Sequence, residues 1–187
     1  KYVDDFVTDA VIISVKFSQD SRNEEYVKAQ EYVDHHFPYL SALMNEYNKL
    51  LVASPFRAEL EKKWGSYLFK MIETQLKTFD PSIIELLQKE SQLTNEYSKL
   101  IASAQIKFDG EVYNIPQMGK FTQDKNRDVR KRASAAVVKF FEENNDELGR
   151  IYHELVQVRH AMAVKLGYKN FIELGYLKLG RLDYTAK

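Results

Sequence analysis

Leu148-Gly149-Arg150-Ile151-Tyr152-His153-Glu154-Leu155-Val156-Gln157-Val158-Arg159-His160-Ala161-Met162-Ala163-Val164-Lys165-Leu166-Gly167 carries both a folding signal and a chemical one. Leu148, Ile151, Leu155, Val158, Met162 and Leu166 recur at steps of three and four, which places them on one face of an α-helix. Tyr152 joins that face. Gly167 follows the last apolar residue, where a left-handed C′ glycine ends a helix. Upstream, Ala133, Val137, Phe140 and Phe141 continue the stripe back to about Asn126. A break near Asn144-Asn145 predicts two antiparallel helices. Downstream, Asn170 with Glu173 three residues later forms a capping-box pattern, which starts a short last helix through Leu177.

The same logic reads the rest of the chain. Residues 1–22 are read as a helix ending near Asp20-Ser21, because Phe6, Ala10, Ile13 and Phe17 keep helical spacing. The competing alternation Val11, Ile13, Val15, Phe17 would suit a strand. From Glu24, the residues Tyr26, Val33, Phe37, Leu40, Met44, Tyr47 and Leu51 trace an apolar face, with Pro38 predicted to bend or restart the helix. Ser54-Pro55 supplies an N-cap and a first-turn proline. Phe56, Leu60, Trp64, Tyr67, Leu68 and Met71 then line a helix expected to reach Thr78. Asp80-Pro81 repeats the start signal for a helix lined by Ile84, Leu87, Leu93, Tyr97, Leu100, Ile101 and Ala104. Glu90 lies beside this stripe and is expected to pair with a lysine or a tyrosine hydroxyl.

One segment departs from helical spacing. In Gln105-Ile106-Lys107-Phe108-Asp109-Gly110-Glu111-Val112-Tyr113, Asp-Gly suits a two-residue type I′ turn, because both positions need positive φ. That register pairs Phe108 with Glu111 and Ile106 with Tyr113. Ile106, Phe108 and Tyr113 then share a face that can sit on helices. After Pro116 a short turn is expected before the helix at Asn126. The fold class is therefore all-α, a multi-helix bundle with one short β-hairpin near 105–115.

Composition narrows the function classes. The chain has 187 residues, 27 Lys+Arg against 27 Asp+Glu, four His and no Cys. Zero net charge supplies no field for a polyanion, so no nucleic-acid partner is expected, nor a basic membrane-surface binder. Disulfide scaffolds, thiolate metal sites and cysteine nucleophiles are excluded. The missing cysteines accord with a reducing compartment, and a cytoplasmic location is expected. No apolar run is long enough to span a bilayer, so no membrane partner is expected. The chain opens on Lys1 rather than Met, which leaves targeting open.

Candidate metal sites fail on spacing. His153-Glu154 begins like HExxH, which needs a second His four residues on so that both rings reach one ion. The fourth residue is Gln157, and His160 lies about 10.5 Å further along a helix axis, too far for a shared tetrahedral ion. His35 and His36 diverge by about 100° on a helix. Asp124-x-Asn126-x-Asp128 imitates a calcium loop, but Val129 and Ala135 stand where Gly and Glu are required; Asp124 or Asn126 is better read as a helix N-cap. The basic run Lys125, Arg127, Arg130, Lys131 and Arg132 opposes the dipole of a helix start, so some of its arginines should pair with carboxylates elsewhere. No phosphate loop or serine elbow is present. No catalytic, cofactor-binding or metal residue is assigned.

A family resemblance adds to this. Ser54-Pro55-Phe56-Arg57-x-Glu59-Leu60-Glu61 begins a run that resembles the oligoendopeptidase F group of zinc metallopeptidases, relatives of thimet oligopeptidase. It continues through Ile84-Glu85-Leu86-Leu87-x-Lys89-Glu90, Glu96-Tyr97-x-Lys99-Leu100 and Asn126-Arg127-Asp128-Val129-Arg130-Lys131-Arg132-Ala133. It is strongest at Leu155-Val156-x-x-Arg159, Ala163-x-Lys165-Leu166-Gly167-Tyr168-Lys169-Asn170-Phe171-Ile172-Glu173-Leu174-Gly175-Tyr176 and Arg181-x-Asp183-Tyr184. Residues 1–53 match in general helical character. The resemblance implies a larger helical peptidase fold, with HExxH far downstream and a third, glutamate ligand on a later helix. Zinc there would polarise a peptide carbonyl and activate water, with the HExxH glutamate as base.

No residue of this chain matches those positions. The expectation is therefore the N-terminal part of such an enzyme, stopping as the catalytic domain begins. Residues 1–115 would form the N-terminal lobe with the hairpin at its end, and 116–187 the first helices of the catalytic domain. The intact protein would use zinc to hydrolyse short peptides, and these helices would help wall the substrate groove. No zinc is expected on this chain, which should be inactive without the missing catalytic domain. The competing class is a non-enzymatic helical adaptor, whose interhelical grooves would bind a partner's amphipathic segment.

Overall fold

The computed structural model describes residues 1–185; Ala186 and Lys187, the last positions of the expected second part, lie outside the described residues. Nine α-helices and one two-stranded antiparallel sheet make up the regular structure among the described residues. They are α1 (Tyr2–Gln19), α2 (Glu24–Val52), α3 (Arg57–Trp64), α4 (Ser66–Leu76), α5 (Ile84–Ala102), β1 (Ile106–Phe108), β2 (Glu111–Tyr113), α6 (Ile115–Thr122), α7 (Arg127–Glu143), α8 (Asn145–Lys165) and α9 (Phe171–Lys178). A 3-10 turn over Pro81–Ile83 leads into α5. The all-α class with a single hairpin is what periodicity and the scarcity of Gly and Pro require.

Two compact units divide the chain. Lys1–Glu31 with Gln92–Glu154 form the first; Tyr32–Ser91 with the residues from Leu155 onward form the second. The boundaries fall inside α2, α5 and α8.

In the first unit the hairpin supplies the centre of a core. Asp109 has φ 48° and Gly110 φ 90°, and Ile106 pairs with Tyr113 and Phe108 with Glu111, the register set by the Asp-Gly turn. Ile106 and Phe108 pack with Met118 of α6 and Ala133 of α7, flanked by Tyr113, Phe121, Val137 and Phe140. Asp109 also receives the Arg132 guanidinium, which lies over the Phe108 ring. This is the pairing that the basic run at a helix start required. Arg130 instead donates to the Asp124 and Lys125 carbonyls. α1 is helical, with Ala10 and Phe17 buried and Val11 and Val15 exposed, so the alternating strand reading fails.

In the second unit Ile83, Met162, Ala163 and Leu174 form the core, flanked by Phe79, Leu87, Val158, Leu166, Tyr168 and Phe171. Gly167 (φ +84°) closes α8: the Tyr168 N–H donates to the Ala163 carbonyl and the Gly167 N–H to the Val164 carbonyl. Asp80 Oδ1 accepts from the Ser82 N–H and Asn170 Oδ1 from the Ile172 N–H, so both residues cap their helices, but Asn170 does so without the reciprocal Glu173 half of the expected capping box.

Five local expectations are corrected. The helix expected over 56–78 breaks at Gly65, whose φ of 88° and ψ of 149° belong to glycine-only backbone. The break changes the rotation of the next helix: Phe69 and Ile72 are buried, whereas Trp64, Tyr67 and Leu68 are exposed. The helix start also slips, since Ser54 Oγ accepts from the Phe56 N–H while α3 begins at Arg57. α2 runs through Pro38 without a restart; Val33 and Pro38 are buried, while Phe37, Met44 and Tyr47 of the expected face are exposed. Residues after Pro116 form α6 rather than a turn, because Asn114 and Gln117 build a reciprocal capping box around them. Finally, α7 and α8 are separated by Asn144 alone. Helical bonds bracket it, from the Asn144 N–H to Phe140 and from the Leu148 N–H to Asn144. One residue is too short to reverse a helix pair, so the expected antiparallel fold-back is absent.

Candidate functional site

Each histidine considered as a ligand has a local role or an open position. His36 Nδ1 lies 2.8 Å from the Tyr32 carbonyl, and its ring stacks on Tyr32 with centroids 4.1 Å apart. The His35 ring contacts that of His36 edge-on, while Gln88 Nε2 donates to the His35 carbonyl at 2.8 Å. His153 and His160 lie on α8 and are exposed. Glu154, the would-be base, pairs with Arg150. No group of three or more His, Cys, Asp or Glu is placed to hold a metal ion among the described residues. The residues present do not fit zinc, because neither histidine pair has a third donor beside it. Asp124 and Asn126 serve as successive turn acceptors, for the Asn126 and Asp128 N–H groups, as the N-cap reading requires.

Charge is instead used to clamp helices. Arg150 binds Glu147, Glu154 and Glu96. Its guanidinium is thereby held more firmly protonated, and its hydrogen bond lowers the Glu147 carboxyl below the usual range. Arg57 bridges Glu61 and Glu73 at 2.9 and 2.7 Å and lies over the Phe69 ring. The least exposed of these clamps is in the second unit. Glu90 on α5 accepts from Arg159 Nε of α8 at 2.6 Å and from Lys178 Nζ of α9 at 3.3 Å. Both cations lie over the Phe171 ring, at 5.7 and 5.8 Å. The partner expected for Glu90 was a lysine or a tyrosine; the structure supplies an arginine and a lysine, 69 and 88 residues away in sequence.

Beyond α9 lies an open groove of about 720 Å³. Ile172, Leu177 and Leu182 give it apolar walls, and Lys169, Glu173 and Arg181 give it charge. Tyr176 and Tyr184 meet edge to face, with centroids 5.9 Å apart, and the Arg181 guanidinium carbon lies beside both, 4.5 Å from the Tyr176 centroid and 5.5 Å from that of Tyr184. Burial, together with the nearby Glu173 charge, pushes the Tyr168 hydroxyl up from its ordinary value; that hydroxyl donates to the Lys77 carbonyl.

The Arg159, 163–176 and 181–184 blocks thus converge on one clamp and one groove, and the comparisons converge on one family. The profile described as Peptidase M3 N-terminal domain matches residues 1–79. A solved structure assigned as an oligoendopeptidase F is 48% identical over 95% of this chain, with a TM-score of 0.91. The chain belongs to the oligoendopeptidase F group of M3 peptidases. PZ peptidase A, solved with an inhibitor, is 48% identical over 97% of the chain, with a TM-score of 0.92. An oligoendopeptidase F assignment from Bacillus anthracis strain Ames is 41% identical over 97%, also at 0.92. Curated proteins gave no match. The chain covers 31%, 32% and 34% of these three structures, so it spans about a third of their length.

For this oligoendopeptidase F relative, sequence reasoning expected a partner for Glu90 but singled out Arg159 and the Arg181-x-Asp183-Tyr184 piece without giving either a structural role. An arginine with aromatic residues five positions before and three after was the signal for the ring clamp. Residues 1–53, which resembled the family only in helical character, fall inside the matched profile.

Proposed function

We propose that this chain is the N-terminal scaffold of a zinc-dependent endopeptidase that hydrolyses short peptides. The observation that carries the reading is likeness to oligoendopeptidase F structures over nearly all of this chain but a third of theirs. Residues 1–115 form the N-terminal lobe, with the hairpin at its end, and 116–187 the opening helices of the catalytic domain. The helices help wall a groove that admits unstructured peptides. Ligands for zinc belong to the part of the intact protein that this chain does not include, so this chain hydrolyses nothing by itself. No helix among the described residues is long and apolar enough to cross a membrane, and the cysteine-free sequence supports a cytoplasmic site of action.

The test is hydrolysis of a quenched fluorogenic oligopeptide by the intact protein and by the 187-residue chain. Chelator-sensitive cleavage by the intact protein alone is the expected result. Cleavage by this chain, or none by the intact protein after zinc loading, would overturn the reading. The second outcome would favour the helical adaptor.

A further inference from the structure

The groove beyond α9 contains a cation that makes no ion pair among the described residues. Among the described residues the Arg181 side chain meets only the Tyr176 and Tyr184 rings, and no carboxylate or carbonyl accepts from it. This differs from Arg57, Arg132, Arg150 and Arg159, each of which is paired to a carboxylate. The two rings stand 77° apart, so they do not enclose the guanidinium, and its N–H fork has no acceptor among the described residues. That fork matches a carboxylate with two parallel hydrogen bonds. Lys169, at the same groove, adds a second positive charge with no partner among the described residues. Ile172, Leu177 and Leu182 supply apolar walls, and the volume lies in the range of small-ligand sites.

We propose that this groove binds the carboxyl-terminal end of a short peptide, with the terminal carboxylate on Arg181 and an apolar last side chain against Ile172, Leu177 and Leu182. The inference deepens the peptidase reading and rests on it for the choice of peptides as ligands. Glu173 also lines the groove and opposes an anion, so the carboxylate is assigned to the Arg181 fork. Removing the Glu173 charge should tighten binding.

The experiment is fluorescence anisotropy of the 187-residue chain with a fluorescein-labelled pentapeptide ending in leucine, as the free acid and as the C-terminal amide. Saturable binding of the acid, weakened about tenfold or more by amidation, is expected from the loss of a charge-assisted pair. Arg181→Gln should weaken the acid by a similar factor and leave the amide unchanged. Glu173→Gln should bind the acid more tightly. Circular dichroism of each variant checks that it is folded, and Arg181→Lys, which keeps the charge but not the fork, should fall between Arg181→Gln and the parent.

Equal binding of acid and amide, or of the parent and a folded Arg181→Gln variant, overturns the proposal. Absence of saturable binding to the folded chain does so as well. In the intact protein, cleavage that ignores both amidation and Arg181→Gln would refute this site while leaving the peptidase reading in place.

Discussion

Replacing Arg159 with glutamine tests how the second unit is held together. Glu90 has a side chain only 16% exposed and takes hydrogen bonds from Arg159 at 2.6 Å and Lys178 at 3.3 Å. Breaking a fully buried pair costs about 3–5 kcal/mol, because the remaining charge is stranded. An exposed pair is worth about 0.2–1 kcal/mol. This one lies between those limits: Arg159 is 42% exposed, and Lys178 remains to meet the carboxylate. A loss of about 1–2 kcal/mol follows, equal to a midpoint shift of roughly 2–8 °C for a chain of this size. In urea, the midpoint should fall without a change in slope, since the surface exposed on unfolding is the same.

The informative form is a double-mutant cycle with Glu90→Gln. Once the carboxylate is neutral, Arg159→Gln should cost much less, leaving a coupling of about 1 kcal/mol. Unfolding followed by circular dichroism would measure all four corners. Additive single effects, within about 0.3 kcal/mol, would refute the view that this clamp joins α5, α8 and α9.

Three further predictions concern local structure. Gly167→Ala should destabilise by about 1 kcal/mol, because φ is +84° and no neighbouring atom lies within 4 Å, so the cost is purely backbone. Gly149→Ala, inside α8 with equally open surroundings, should instead stabilise by about 0.5–1 kcal/mol, and thermal melts of the pair should move in opposite directions. Met162→Ala, at a site with 0% exposure, should cost about 2–5 kcal/mol by urea titration. Asp109 titrates below its ordinary range because Arg132 hydrogen-bonds its ionised form. Its contribution is therefore complete above the ordinary carboxylate pKa and lost as pH falls through the depressed value. Asp109→Asn keeps a residue suited to positive φ while removing the charge, so it should flatten the loss of stability below about pH 4; an unchanged acid profile would contradict the pairing.

What sequence revealed was chemistry acting over a few residues. The Asp109-Gly110 turn fixed the hairpin register, and Asp80, Asn126 and Asn170 capped where their side chains could reach the next N–H groups. Gly167 ended α8 for the same local reason. The misses arose where two local signals competed. Gly65 stands inside an apolar pattern that continues on both sides, so periodicity joined two helices that the backbone separates. Pro116 suggested a loop, yet a proline in the first turn of a helix needs no N–H, and the Asn114–Gln117 box made that turn helical. Pro38 shows the opposite failure, a breaker overridden by a helix long enough to carry it. The Glu90 clamp and the Arg181 groove depend on which helices meet, information that no window of residues contains.

The central claim is that this chain is a scaffold whose catalytic metal is held by residues outside it. Calorimetric zinc titration of the 187-residue chain beside the intact protein tests that most directly. The account predicts one tightly bound zinc on the metal-stripped intact protein and no stoichiometric high-affinity zinc on the chain. Tight one-to-one zinc binding by the chain itself would contradict it.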